Sequence, residues 1–234
     1  MRLVQEALSS GLQISPLLFS PARLSGTPAG RALRHRLDHL PQAEEIDDAL
    51  LASISDTVTC QGVVAAGAIP RTSVLPDGGL VLILDGIADP GNAGSIVRTA
   101  RAAGAAAIVA MKGTTDLWAP KAVRAGMGAH FHVPMMADVS WSDLEAAIGS
   151  RQVVLAATFG GVPYWQLDWR QPAALVVGAE AHGASPQAEA RAQARVTIPM
   201  AEGAESLNAA AAAAVLLFEA RKQRVDRPRP AAGT

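Results

Sequence analysis

Leu80, Val81, Leu82, Ile83 and Leu84 form an uninterrupted apolar run, and this run constrains the fold more than any other feature of the chain. A half-exposed strand alternates apolar and polar residues, whereas a continuous run fits a strand buried on both faces, as in a parallel sheet covered by helices. Further strands are expected at 106–111, 131–134, 153–157, 174–177 and 195–198. Helical patterns stand between or after them at 93–103, 120–126, 142–148 and 207–224. Strand and helix alternating in this way predict an α/β fold with a parallel sheet.

Upstream, residues 1–70 mix short helical patterns with apolar segments around Pro16, Leu17, Leu18 and Phe19 and around Gly62, Val63, Val64, Ala65 and Ala66, which suits a small α/β module. Residues 71–79 concentrate turn formers without apolar period and read as a linker. The expected organisation is therefore a small domain over 1–70, a linker over 71–79, a larger domain over 80–226 and a disordered tail over 227–234.

The hydrophobic fraction is 50% and the charged fraction 18%, which provides a core and excludes a disordered chain. The formal net charge is −1, so any nucleic-acid contact must be local. Basic residues cluster at Arg31, Arg34 and Arg36 with His35 and His39, and at Arg221, Lys222, Arg224, Arg227 and Arg229. A solvated helix face and a helix C-terminus account for the same clusters. The single cysteine, Cys60, forms no internal disulfide, the first residues lack a signal-peptide pattern, and no apolar run has the length of a membrane span. A cytoplasmic protein without a membrane anchor is expected.

Ligands of parallel α/β sheets collect at the carboxyl ends of strands, so the loops after three of the runs carry the interest. The first contains Asp89, Pro90, Gly91, Asn92, Ala93, Gly94, Ser95 and Arg98. Asn92 offers an amide that can cap the following helix, and Arg98 a guanidinium that can grip a phosphate. The second contains Gly178, Glu180, His182 and Gly183. Its G-x-E-x-x-G spacing is not the dinucleotide fingerprint, because a carboxylate stands where backbone would approach a pyrophosphate; it would instead tolerate a cationic ligand such as a sulfonium. The third runs from Ile198, Pro199 and Met200 through Gly203 to Ser206, Leu207 and Asn208, where Ser206 or Asn208 can cap the alanine-rich helix that follows. Neither a G-x-G-x-x-G nor a phosphate-loop motif occurs, which disfavours a nucleotide-dependent oxidoreductase. No metal site is expected.

In order and spacing the three loops resemble the motifs of the SpoU (TrmH) family of RNA ribose methyltransferases, in the SPOUT superfamily. The match covers about residues 80–224, with an acidic spacer between Met200 and Ser206 contributed by Glu202 and Glu205. The resemblance implies a trefoil-knotted catalytic domain, an exception to the rule that chains avoid knots. It also implies S-adenosylmethionine as cofactor and homodimers whose active sites combine residues of both subunits. Thr158, Gly178, Ile198, Met200 and Leu207 would then bind the cofactor, and Arg98, Asn92, Glu180, Ser206 and Asn208 would form the catalytic set. The N-terminal part resembles the small substrate-binding domain of rRNA-modifying members, with Glu6, Ala7, Leu8 and Gln61, Gly62, Val63 in suitable places; the chain begins inside that module's usual first helix, so either a truncated start or an abbreviated domain is expected.

The implied reaction is transfer of a methyl group to a ribose 2′-hydroxyl of RNA, with ribosomal RNA favoured over tRNA. Arginine is a poor base, so Arg98 would hold the phosphate beside the target ribose and stabilise developing negative charge while a phosphate oxygen or water takes the proton. Ser206 and Asn208 would orient the ribose. The alternatives are a tRNA ribose methyltransferase and a non-catalytic RNA-binding protein of the same fold.

Overall fold

The structure is a computed structural model that describes residues 1–55, 59–180, 182–203 and 205–225. The expected tail and the basic residues Arg227 and Arg229 lie outside the described residues. The chain divides into two compact units, Met1–Pro70 and Arg71–Thr234.

In the first unit the order is α1 (Arg2–Ser9), β1 (Ile14–Phe19), α2 (Pro21–Ser25), α3 (Pro28–Leu37), β2 (Ala43–Glu45), α4 (Asp48–Ile54) and β3 (Val63–Gly67). The strands form a three-stranded sheet, β2-β1-β3, parallel between β1 and β2 and antiparallel between β1 and β3. Leu17 and Phe19 on β1 are buried, as are Leu24, Leu33, Leu37 and Leu51 on the helices of this unit. Three short helices start on side-chain caps, Ser20 to Arg23 N, Thr27 to Gly30 N and Asp47 to Leu50 N, satisfying backbone donors that the first helical turn leaves unpaired. Within the basic cluster of α3, Arg34 is shared between Asp38 at 4.0 Å and Glu45 at 3.9 Å.

The second unit runs β4 (Leu80–Asp85), α5 (Pro90–Ala103), β5 (Ala107–Met111), α6 (Pro120–Gly126), β6 (Met135–Val139), α7 (Trp141–Ile148), β7 (Gln152–Ala156), β8 (Val162–Pro163), β9 (Ala173–Gly178), α8 (Pro186–Arg191), β10 (Ala194–Thr197) and α9 (Ala209–Val225). Its sheet has seven strands in the order β6-β5-β4-β9-β7-β10-β8. Every pairing in it is parallel. All six residues of β4 are buried. Their side chains alternate between two cores: Leu80, Leu82 and Leu84 pack with α5 and α9, while Val81 and Ile83 pack with Leu144 and Ile148 of α7. Helices on both faces explain why the sequence here is continuous rather than alternating, each buried leucine contributing about 1.5–3 kcal/mol.

Residues 71–79 contain no helix or strand, yet they belong to the second compact unit. Leu75 is buried, and the Arg151 guanidinium donates to the carbonyls of Pro76 and, at 2.7 Å, of Gly78.

Several local expectations change. The helix expected over 93–103 begins at Pro90, because Asp89 Oδ1 accepts from Asn92 N at 2.8 Å and the proline ring fits the first helical position. Asn92 is therefore inside the helix and does not cap it. Gly94, inside the expected helix, lies in α5, where a Cβ would stand 2.2 Å from Ala122 O, so its bareness serves the packing of α5 on α6. The strand expected at 131–134 is instead the end of a 3-10 turn (Ala129–Phe131) and its exit, and β6 starts one residue after Pro134. Pro134 has no N–H to give a ladder, although its carbonyl accepts from Ile108 N at 2.9 Å. Helix α9 begins at Ala209, leaving Leu207 in the loop, since Asn208 Oδ1 accepts from Ala210 N at 2.9 Å and occupies the cap.

Candidate functional site

Three loops at the carboxyl ends of β4, β9 and β10 converge. From the first, the cap by Asp89 leaves the Asn92 side chain free to project from the opening turn of α5. Lys121 Nζ donates to Asp89 Oδ2 at 2.8 Å, and this bond, with that from Asn92 N, holds the Asp89 carboxyl below the usual carboxylate range. From the second, Glu180 stands in a turn closed by reciprocal backbone bonds between Ala179 and Gly183, at 2.8 and 2.9 Å. Gly178 enters that turn so tightly that a Cβ would meet Ala184 N at 2.4 Å. Asp85, a buried carboxylate at the end of β4, fixes the far side of the turn by accepting from Ser185 N at 2.7 Å. From the third comes Asn208, oriented by its capping role.

The three side chains form a chain of hydrogen bonds. Asn208 Nδ2 donates to Asn92 Oδ1 at 3.1 Å, and Asn92 Nδ2 donates to Glu180 Oε1 at 2.6 Å. The orientation of each amide is thus determined by its neighbours: Asn208 must turn its oxygen to the helix and its nitrogen to Asn92, which leaves the Asn92 nitrogen for the carboxylate.

Beside this chain lies a cavity of about 480 Å³. Thr158, Gly178, Ile198, Met200 and Leu207 all line it, as do Glu180 and Ser206. Asn92, Asn208 and Arg98 are not among its lining residues; Asn92 is tied to the lining residue Glu180, and Asn208 stands between the lining residues Leu207 and Ala209. Arg98 is exposed on α5 and, among the described residues, has no ion pair or hydrogen bond. Ser206 is exposed. The rest of the wall is small and apolar, with Ala156 and Ala157 after β7 and Ala209, Ala212 and Leu216 from α9.

Three charged or titratable lining residues were not singled out as site residues from the sequence: His182, Glu189 and Arg195. Arg195 is paired with Glu189 in an ion pair. A charge inside an otherwise apolar strand pattern was the available signal for Arg195, whereas Glu189 lies on a helix of only six residues that the sequence reading did not separate from its loop.

The SpoU rRNA Methylase family model matches residues 79–218, which is more than half of the chain. The chain is 31% identical to the zebrafish "rRNA methyltransferase 3A, mitochondrial" over 95% of its own length and 62% of that protein, so it spans about three fifths of that relative. It is 33% identical to the Bacillus subtilis "23S rRNA (guanosine(2553)-2'-O)-methyltransferase RlmP", covering 77% of the chain and 73% of the relative. Among solved structures, the SpoU methyltransferase AviRb from Streptomyces viridochromogenes, in complex with the cofactor AdoMet, superposes with a TM-score of 0.82 at 30% identity, covering 96% of the chain and 88% of AviRb. The family match falls on the seven-stranded sheet and on all three loops of the cavity, and the chain belongs to the SpoU rRNA Methylase family.

Proposed function

We propose that the protein is an S-adenosylmethionine-dependent methyltransferase that methylates a ribose 2′-hydroxyl of RNA, with ribosomal RNA as the substrate class. The observation that carries this reading is the cavity at the strand ends, in which loops far apart in sequence bring an ionised carboxylate, two interlocked amides and bare backbone to one place. The names of the matched relatives, an rRNA 2′-O-methyltransferase among them, support the same substrate class.

The residues present fit the cofactor. About 480 Å³ lies within the range of small-molecule sites, the alanines of α9 and β7 leave room for a flat ring, and backbone at Gly178, Ile198 and Leu207 offers donors and acceptors for a nucleoside. When bound, S-adenosylmethionine supplies an electrophilic methyl group on a positively charged sulfur. Glu180, held by Asn92, presents a carboxylate to that region of positive charge. Asn208 and Ser206 orient the ribose at the start of α9, where helix N–H groups favour negative charge on the attacking oxygen. Arg98 holds the phosphate next to the target ribose, and a phosphate oxygen or water takes the hydroxyl proton.

The protein works as a homodimer. Phe218 and Val225 on α9 stay 48% and 64% exposed in a single chain, a cost that a second copy removes. Arg98, exposed on the neighbouring α5 and away from its own cavity, then serves a site completed across the interface. The strand order, with β9 between β4 and β7, supports the knotted threading expected of the family. The first unit contributes RNA binding through the α3 basic residues, of which Arg31 and Arg36 are exposed. Among the described residues no helix is long and apolar enough to cross a membrane. The lone cysteine, Cys60, suits the cytoplasm.

Calorimetric titration of the full chain with S-adenosylmethionine tests the reading. Binding with one site per subunit is expected, and a folded protein with no heat of binding at millimolar cofactor would overturn it.

A further inference from the structure

The cavity is not uniform from end to end, and its two ends differ in chemistry. It straddles the carboxyl edge of the sheet. On one face it is walled by Ala209, Ala212 and Leu216 of α9, the helix that packs on Val177 and Val196. Side chains of a strand alternate between faces, so Arg195, next to Val196, is directed to the opposite face. Its neighbour in register, Leu155, belongs to the core on that face, together with Ala188 of α8. There Arg195 meets Glu189 of α8, and each side chain keeps 40% of its surface exposed. One end of the cavity is therefore small and apolar, the other carries a guanidinium beside a carboxylate, and Glu180 lines the wall as well.

We propose that Arg195 and Glu189 form a subsite for the zwitterionic amino-acid end of S-adenosylmethionine, an inference that rests on the cofactor reading above. The ligand has the same polarity as the cavity: a flat adenosine at one end, an α-carboxylate and α-ammonium at the other, and the sulfur between them. The Arg195 guanidinium has more donors than Glu189 occupies and can grip the ligand carboxylate. Glu189 holds Arg195 in place and accepts from the ligand ammonium. An ion pair this exposed contributes little to folding, so stability alone gives it no reason to sit in the cavity wall. With Arg195 and Glu189 holding the amino-acid end, the alanines of α9 would be left for the adenosine.

The test compares two neutral thioethers, S-adenosylhomocysteine and 5′-methylthioadenosine, which share the adenosine and differ in whether the sulfur carries the amino-acid chain or a methyl group. Both are titrated calorimetrically into the 234-residue chain. The expected result is that the wild type binds S-adenosylhomocysteine at least about tenfold more tightly, as a charged, hydrogen-bonded contact of about 1.4 kcal/mol or more gives. Arg195→Met should bring the two within about threefold by weakening only S-adenosylhomocysteine, and Arg195→Lys, which keeps the charge, should restore part of the preference. An unchanged preference in Arg195→Met overturns the subsite, and so does an equal loss for both ligands. A wild type that binds neither thioether overturns the cofactor reading itself, which distinguishes that failure from failure of the subsite alone.

Discussion

Asn92 Nδ2 donates to Glu180 Oε1 at 2.6 Å, joining the first turn of α5 to the loop after β9 across 88 positions of sequence. The bond makes the Glu180 carboxylate a fixed element of the cavity rather than a mobile loop acid. Asn92→Asp replaces the donor with a second carboxylate, and like charges at this separation repel. Methyl transfer should fall by about 10- to 100-fold or more, the equivalent of losing a hydrogen bond to an ionised group. The melting temperature should move little, because Asn92 is only partly buried and the helix cap belongs to Asp89. Single-turnover kinetics with thermal melting of the same variant check both halves.

Gly94 and Ala122 define how closely α5 and α6 approach, since a Cβ at position 94 would lie 2.2 Å from a backbone oxygen. Backbone cannot rotate away as a side chain does. Gly94→Ala should therefore cost about 1–3 kcal/mol, as overpacking does, despite the better helix propensity of alanine. Urea denaturation measures it, and Gly203→Ala, where nothing lies within 4 Å, gives the comparison for a glycine limited only by its positive φ of 84°.

His130 is buried at 1% exposure with neither ring nitrogen in good hydrogen-bond geometry, and desolvation, only partly offset by the backbone of Leu117, lowers its pKa from 6.5 to about 4. The unfolded chain takes up a proton near pH 6.5, whereas the folded chain resists protonation until about pH 4. Between those values the unfolded state holds more protons, so stability rises with pH across that window and is lost as the solution is acidified through it. The contribution is at most about 3 kcal/mol, fully present above the unfolded value. Denaturation midpoints measured from pH 4 to pH 7 should show this slope in the wild type and a smaller one in His130→Leu.

Phe218 on α9 is 48% exposed in one chain. Phe218→Arg should convert a dimer to a monomer by light scattering, leave cofactor affinity within a few-fold, and remove methyl transfer if Arg98 acts across the interface. A monomeric variant with full activity would exclude shared sites.

Much of the fold was legible because burial on both faces leaves a plain mark in sequence. The runs of β4 and β9 are continuous apolar stretches, and both form the centre of the sheet. The failures have local causes. At β6 the strand was expected over 131–134, but it follows Pro134, and its exposed Ala137 and Asp138 interrupt the apolar pattern and read as loop. Strand β8 has two residues, too few for any period. In the site, Asn92, Glu180 and Asn208 were legible because their motifs are short and fixed in spacing, and the structure links them by hydrogen bonds. Two features of the site were not. Asn92 was open to reading as the cap, whereas Asp89, just before a proline, holds that position, and Arg195 with Glu189 carries no motif because the pair is made by the packing of α8 on the sheet.

Incubation of the full chain with methyl-labelled S-adenosylmethionine and ribosomal RNA, followed by digestion of the RNA to nucleosides, is the most direct measurement of the proposed chemistry. The predicted result is label in a single 2′-O-methylated nucleoside, lost in Arg98→Ala while cofactor binding persists. Label on a base, or none on ribosomal RNA by a protein that binds the cofactor, would contradict it.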